Sequence, residues 1–116
     1  MVRNIAQYTR VYLAVIEASR QAWYKLVDLY SEAEVMYPRM VGMGNAWHHI
    51  LSKYLGGPAS GLQARLPAPY HQFIANAIRE IEAYGLGTRL QPDQWLKMLV
   101  DVHTRYPLPL LPGAWR

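Results

Sequence analysis

The first third of the chain carries a helical pattern of apolar positions that neither glycine nor proline interrupts. Between residues 2 and 36, apolar side chains recur at steps of three and four, and charged side chains fall on the opposite side. A single straight helix of that length would span roughly 50 Å, which exceeds the width of a domain of this size. The pattern therefore predicts a helix that is bent, broken in two or used to contact another chain. Its apolar stripe, expected mainly to pack into a core, consists of Ile5, Tyr8, Tyr12, Val15, Ala22, Leu26, Leu29 and Ala33, widened by Trp23 and Tyr30.

The middle of the chain changes to a pattern typical of two short strands and a helix. Residues 37–45 predict a loop, and residues 47–55, rich in aromatic and branched side chains, predict a first strand. A cluster of glycine and proline at 56–61 predicts a turn, after which residues 62–66 return as a second strand. A helix then follows over 69–84. The side chains expected on its buried face are Phe73, Ile74, Ala77, Ile78 and Ile81.

The last part of the chain predicts one more helix and a proline-rich tail. The helix covers residues 92–105, and its apolar face includes His103, whose expected role is packing. Residues 106–112, YPLPLLP, cannot be helical and are expected to lie extended over the domain surface. Presentation of this tail to a partner as a polyproline ligand is the alternative.

These elements predict an α+β fold that is mostly helical. At 116 residues the chain is expected to form a single domain. Its parts would be an N-terminal helical segment, 1–37, a strand–strand–helix core, 45–84, and a C-terminal helix with the tail, 91–116.

Composition excludes several classes of site. There is no cysteine, so disulfides, thiolate zinc sites and a cysteine nucleophile are excluded. The longest apolar run, residues 11–16, is too short for a transmembrane helix or the apolar region of a signal peptide. No membrane association is therefore expected, and export would use a route that does not read such a peptide. A transition metal would be held by histidine nitrogen and by carboxylate, amide or water oxygen.

The positive charge is concentrated in the middle of the chain. The formal net charge is +4, and no acidic residue occurs between positions 35 and 79. The cations in that stretch are Arg39, Lys53, Arg65 and Arg79. Such a local cationic field favours a polyanionic substrate, with chance clustering as the alternative.

The same stretch contains three of the four histidines. His48 and His49 fall in the first predicted strand, and His71 falls in the first turn of the helix that follows the second strand. Neighbouring side chains on a strand point to opposite faces, so the histidine pair can share a site only where the strand ends or twists sharply. The layout permits three imidazoles to meet around one ion. A surface or half-buried histidine pair with no ligand is the alternative.

Two segments, WHHILSKYLGG at 47–57 and LPAPYHQFIANAIRE at 66–80, resemble a known family. They are similar to the HNH/AHH-type nuclease toxin domains of Rhs-associated polymorphic toxins, which have a ββα-metal (His-Me finger) core. The similarity covers about residues 45–84. It implies that His48 and His71 bind a divalent metal (Mg²⁺, Mn²⁺, Ni²⁺ or Zn²⁺) and that His49 is the general base of a metal-dependent endonuclease.

The resemblance also implies a substrate, partners and a place of action. The substrate would be DNA, with RNA as the alternative, and a cognate immunity protein would hold the toxin in check. The protein would be a secreted effector that acts in the cytoplasm of a target cell and is cytoplasmic in the cell that makes it. The candidate substrate-binding residues are Lys53, Arg65, Gln72, Asn76 and Arg79.

The chain departs from the family pattern at two places. Ser52 stands where the pattern has proline, and the middle asparagine of an HNH motif has no clear counterpart, with Ser60 and Gln63 as candidates. The Ser52 departure should matter little, but the asparagine steadies the base, so a catalytically inactive homologue that binds nucleic acid or metal is one alternative. A helical protein-interaction module, built on the long N-terminal helix, is another.

Overall fold

The helical N-terminal stretch is broken into two helices, as one of the sequence-based alternatives predicted. The computed structural model describes residues 5–51, 61–82 and 92–116, the side chains of 5–7, 81, 82 and 92 excepted. Helix α1, Ile5–Gln21, and helix α2, Leu26–Met36, are joined by a 3-10 turn, Trp23–Lys25. The break changes the helical phase, so Trp23 is 38% exposed and does not widen the buried stripe as expected. Most of the stripe packs in or against the core, including the buried side chains of Val15, Ala22, Leu26 and Ala33.

A two-stranded antiparallel sheet follows, as the sequence indicated. Strand β1, Asn45–His49, pairs with strand β2, Gln63–Pro67. Strand β1 begins two residues before the predicted position and ends at His49, because Ile50 and Leu51 bend into the core and are almost fully buried. The rest of the predicted first strand and most of the predicted turn lie in residues 52–60, outside the described part of the chain.

Two further helices complete the regular structure. Helix α3, Ala68–Glu82, starts directly after β2, with Pro69 in its first turn, where a missing N–H breaks no helical hydrogen bond. It buries Ile74, Ala77 and Ile78, as predicted, whereas its predicted end at residue 84 is not described. Helix α4, Pro92–Arg105, has the predicted bounds. Helix α1 packs on α4, and α2 packs on α3.

Residues 107–109 of the proline-rich tail are buried in the core, so the prediction that the tail lies over the surface is wrong for this part and holds only for its end, where Leu111 is 55% exposed. Leu108 is completely buried, and the hydroxyl of Tyr70 donates a hydrogen bond to the carbonyl oxygen of Pro107 at 2.7 Å. The backbone N–H of Leu108 donates to Ser19 Oγ at 3.0 Å. Because proline has no N–H, the segment has few donors to satisfy and can be buried at low cost. These residues are therefore not presented to a partner as a polyproline ligand.

The end of the chain runs beside β2 after leaving the core. The N–H of Arg65 donates to the carbonyl oxygen of Ala114 at 2.6 Å, and the N–H of Arg116 donates to that of Gln63 at 2.9 Å. The Arg116 guanidinium lies 4.1 Å from the centre of the Trp47 ring. The fold is thus α+β and mostly helical, as predicted; the short sheet contacts α3, and the end of the chain borders it along β2. None of the helices in the described ranges is both long and apolar enough to cross a membrane.

Candidate metal and catalytic site

Strand β1 directs His48 into the protein. His48 lies opposite Ala64 in the β1–β2 register; Ala64 is fully buried and His48 is 5% exposed. Its neighbours Trp47 and His49 are only half-buried, because side chains alternate between the two faces of a strand. The inward face is the one that α3 covers, since β2 leads into that helix without a loop. His71, in the first turn of α3, is thereby brought next to His48.

The rings of His48 and His71 are in contact. Their centroids are 5.6 Å apart and their planes meet at 66°. Two imidazoles bound to one ion through nitrogen, at metal–nitrogen distances of about 2 Å, would have centroids about 5 Å apart. The predicted proximity of these two residues is therefore observed, and their separation is close to what a shared ion requires.

A third histidine, His103, contacts His48, although the sequence predicted only a packing role for it. His103 of α4 is completely buried, as expected, but its ring centroid lies 5.6 Å from that of His48. Its Nδ1 donates to the carbonyl oxygen of Tyr106 at 3.1 Å, while its Nε2 is buried without a hydrogen-bond partner. The only signal in the sequence was a histidine at an apolar position of a helix, which does not reveal what the ring meets. We call His48, His71 and His103 the histidine cluster.

Burial lowers the pKa of each member of the cluster. The pKa of His48 is well below its ordinary value of 6.5, because of burial and the nearby His103, His71 and His49. Burial, reinforced by the charge of Arg79, lowers the pKa of His71. Burial lowers the pKa of His103 to about 4, although its bond to Tyr106 acts in the opposite direction. The cluster is neutral at neutral pH, and neutral imidazole is the form that binds metals.

Two nitrogens of the cluster are unsatisfied. Nε2 of His48, like Nε2 of His103, is buried with no hydrogen-bond partner. Buried polar atoms are normally paired, so each of these calls for a bound species or a cost in stability. A cation could satisfy both, since the rings of His48 and His103 have centroids 5.6 Å apart. Among the described residues, however, no three metal-binding side chains already have their donor atoms gathered around one point.

His49 follows His48 at the end of β1, and the alternation of the strand places it on the less buried side. It is the last residue of β1, opposite Gln63, and is half-buried. It lies close enough to His48 to contribute to the lowered pKa of that residue. The condition that the sequence analysis set for the pair, a strand that ends there, is met. The role of His49 as base stays a prediction.

Of the predicted substrate-binding residues that are described, the two amides are hydrogen-bonded and half-buried, whereas the two arginines are exposed. Asn76 Nδ2 donates to the hydroxyl of Tyr37 and so ties α3 to the end of α2, while Gln72 Nε2 donates to Asn76 Oδ1 at 2.8 Å within α3. Arg65 and Arg79 are exposed, and Lys53 lies outside the described residues, as does Ser60. Of these cations, Arg79 is the one whose charge acts on the pKa of His71.

No family model, curated protein or solved structure matches the chain.

Proposed function

We propose that this protein is a metal-dependent endonuclease of the ββα-metal kind. The observation that carries the proposal is the contact between His48 on β1 and His71 on α3, with ring centroids 5.6 Å apart. The order strand, strand, helix is the order that the resemblance implies. His49, at the end of the same strand, is the neighbour expected to act as base.

The chemistry divides among a few residues. His48 and His71 would hold a divalent ion (Mg²⁺, Mn²⁺, Ni²⁺ or Zn²⁺), which supplies positive charge to the phosphate and the leaving 3′-oxygen. The His49 imidazole accepts a proton from the water that attacks phosphorus. Arg79, exposed on the helix that carries His71, is the first candidate for binding the phosphate backbone.

The biological role follows from the same resemblance. The protein would act as an antibacterial effector on DNA, with RNA as the alternative substrate, in the cytoplasm of a target cell. A cognate immunity protein would block it in the producing cell. The cations of residues 35–79 support a polyanionic substrate: three of them, Arg39, Arg65 and Arg79, are exposed. The ion pairs formed between described residues, Arg10–Asp93 and Arg20–Glu17, involve none of the three.

The first test is cleavage of supercoiled plasmid DNA and of RNA with each of the four metals, with and without EDTA. We expect wild type to nick DNA only with metal, and His49→Ala to lose at least about 100-fold in rate, as expected for removal of a general base. The variant should still bind metal, because His49 is not an expected ligand.

The controls separate loss of chemistry from loss of fold. His71→Ala should lose both metal binding and cleavage, and far-UV circular dichroism should show that both variants are folded. Equal cleavage by wild type and His49→Ala would refute the assigned base. If wild type binds metal and nucleic acid but cleaves neither DNA nor RNA, the inactive-homologue alternative is correct.

An exposed apolar stripe favours a second candidate, a protein-interaction module. Tyr24, in the 3-10 turn, is 77% exposed, and Val27 and Val35 of α2 are 76% and 82% exposed. Such a face is typical of a contact surface. Light scattering distinguishes this candidate. A dimer that dissociates in Tyr24→Ser/Val27→Ser supports it, and a monomer at all concentrations contradicts self-association.

A further inference from the structure

The contact between His48 and His103 is not explained by packing. An apolar side chain would fill the same space without a polar atom, whereas an imidazole nitrogen buried without a partner destabilises the fold. Both Nε2 atoms, on rings 5.6 Å apart, are in this condition. The same His48 ring is 5.6 Å from that of His71, so His48 stands between two other imidazoles.

The surroundings of His103 fix which of its nitrogens carries the proton. The carbonyl oxygen of Tyr106 can only accept, so Nδ1 is the donor, and in the neutral ring Nε2 keeps a free lone pair. Tyr106 is itself held, because its N–H donates to the carbonyl oxygen of Val102 at 2.8 Å. A histidine whose one ring nitrogen donates to a backbone carbonyl while the other is free is the usual arrangement of a metal ligand.

We propose that His103 is a third nitrogen ligand, with His48 and His71, of a transition-metal ion of the zinc and nickel class. The inference deepens the proposed function, since it rests on the same metal site and selects among the four candidate metals. Mg²⁺ prefers oxygen ligands, whereas imidazole nitrogen suits zinc and nickel. The charges that act on His48 are those of other histidines, and residues 35–79 contain no carboxylate.

Closure of this site requires movement of the rings. Donor atoms of three described side chains are not yet gathered around one point. Two of the three ring pairs, His48–His71 and His48–His103, already have centroids 5.6 Å apart, near the separation of about 5 Å that ligands of one ion have. The ion would lie beside His48, and the proposal requires the rings of His71 and His103 to turn towards that point.

The test counts imidazole ligands in the zinc-loaded protein. X-ray absorption at the zinc edge should show three imidazoles in wild type and in His49→Ala, and two in His103→Asn. Asparagine can keep the hydrogen bond to the Tyr106 carbonyl while removing the ε nitrogen. Calorimetric titration with Zn²⁺ should show that His103→Asn loses more than about 100-fold in affinity, since loss of an outer partner of a ligand brings about 10- to 100-fold.

The possible failures are distinct. Two imidazoles in wild type, or wild-type affinity in His103→Asn, would overturn the role of His103 while leaving a nuclease with His48 and His71 intact. Three imidazoles without cleavage of DNA or RNA would support the ligand set and reject the enzyme. A wild type that binds no Zn²⁺ but cleaves with Mg²⁺ would also overturn the inference. Because the wild-type spectrum is decisive by itself, the test does not depend on folding of a variant.

Discussion

Two of the four histidine side chains are almost completely buried, and this burial determines their protonation state. His48 is 5% exposed and His103 is not exposed at all. A charged imidazole in such surroundings has no counter-ion among the groups that act on it, so burial keeps both rings neutral. Neutral rings keep a lone pair for an ion. The same burial makes the protein sensitive to acid, because unfolding exposes the rings to protons.

We expect stability to fall as the pH falls below 6.5. In the unfolded chain His103 has a pKa near 6.5, whereas in the folded protein its pKa is about 4. Its contribution to the free energy of unfolding is therefore fully present above pH 6.5 and is lost as the pH falls towards 4. For His103 alone the loss between about pH 7.5 and about pH 5 is ~2 kcal/mol, and His48 acts in the same direction. Urea unfolding at the two pH values measures it.

His103→Asn is the matched variant for this measurement. It removes one of the depressed groups, so its free energy of unfolding should depend less on pH than that of wild type. An equal dependence in the two proteins would mean that His103 is not the group responsible.

At the scale of elements, the tail fixes how the helices are arranged. Its buried segment is bound by α1 through Ser19 and by α3 through Tyr70, and it follows directly from α4. Each bond satisfies a backbone group of the tail that would otherwise be buried unpaired. Since His103 bonds to Tyr106, the segment that positions the helices also orients one ring of the histidine cluster.

Removal of the Ser19 hydroxyl tests this role of the tail. Ser19→Ala leaves the buried N–H of Leu108 without an acceptor and should lower the free energy of unfolding by about 1–3 kcal/mol. The matched control is Ser31→Ala, because the Ser31 hydroxyl also bonds to backbone but is exposed, and that change should stay within about 0.5 kcal/mol. Equal effects in urea unfolding would show that the tail contact contributes nothing special.

At the scale of the whole molecule, charge is distributed unevenly. The stretch 35–79 holds the entire net charge of +4, and the segments on either side are balanced. The ion pairs among the described residues, Arg20–Glu17 and Arg10–Asp93, do not involve Arg79. The face that carries Arg79 can therefore attract a polyanion, and the resulting affinity should depend on salt.

Arg79→Gln should weaken binding of duplex DNA and reduce the slope of log affinity against log salt by about 1, the amount expected for one phosphate contact. Fluorescence anisotropy over a salt series, with EDTA present to prevent cleavage, measures both. Arg20→Gln is the control, because Arg20 is paired with Glu17 on α1. A slope reduced equally by both substitutions would indicate general electrostatics and not a contact.

The sequence by itself determined the local elements of this protein. Helical spacing and the positions of proline and glycine predicted two strands followed by a helix, and α4 with its observed bounds, because these signals act over one or two turns of chain. The length of the N-terminal stretch left three alternatives, of which the break into two helices is the observed one. The approach of His71 to His48 also followed, since β2 connects directly to α3 and the strand–strand–helix order constrains where the helix can start.

Only the tertiary structure decided which faces meet. His103 and His48 are far apart in sequence, and Ser19 and Leu108 are 89 residues apart, yet both pairs are in contact in the fold. An apolar pattern predicts that a face is buried but not which element packs against it. The contacts of a buried histidine and of a proline-rich tail could therefore not be predicted from the sequence. Packing of α4 and the tail against the sheet supplied that information, and with it the third member of the histidine cluster.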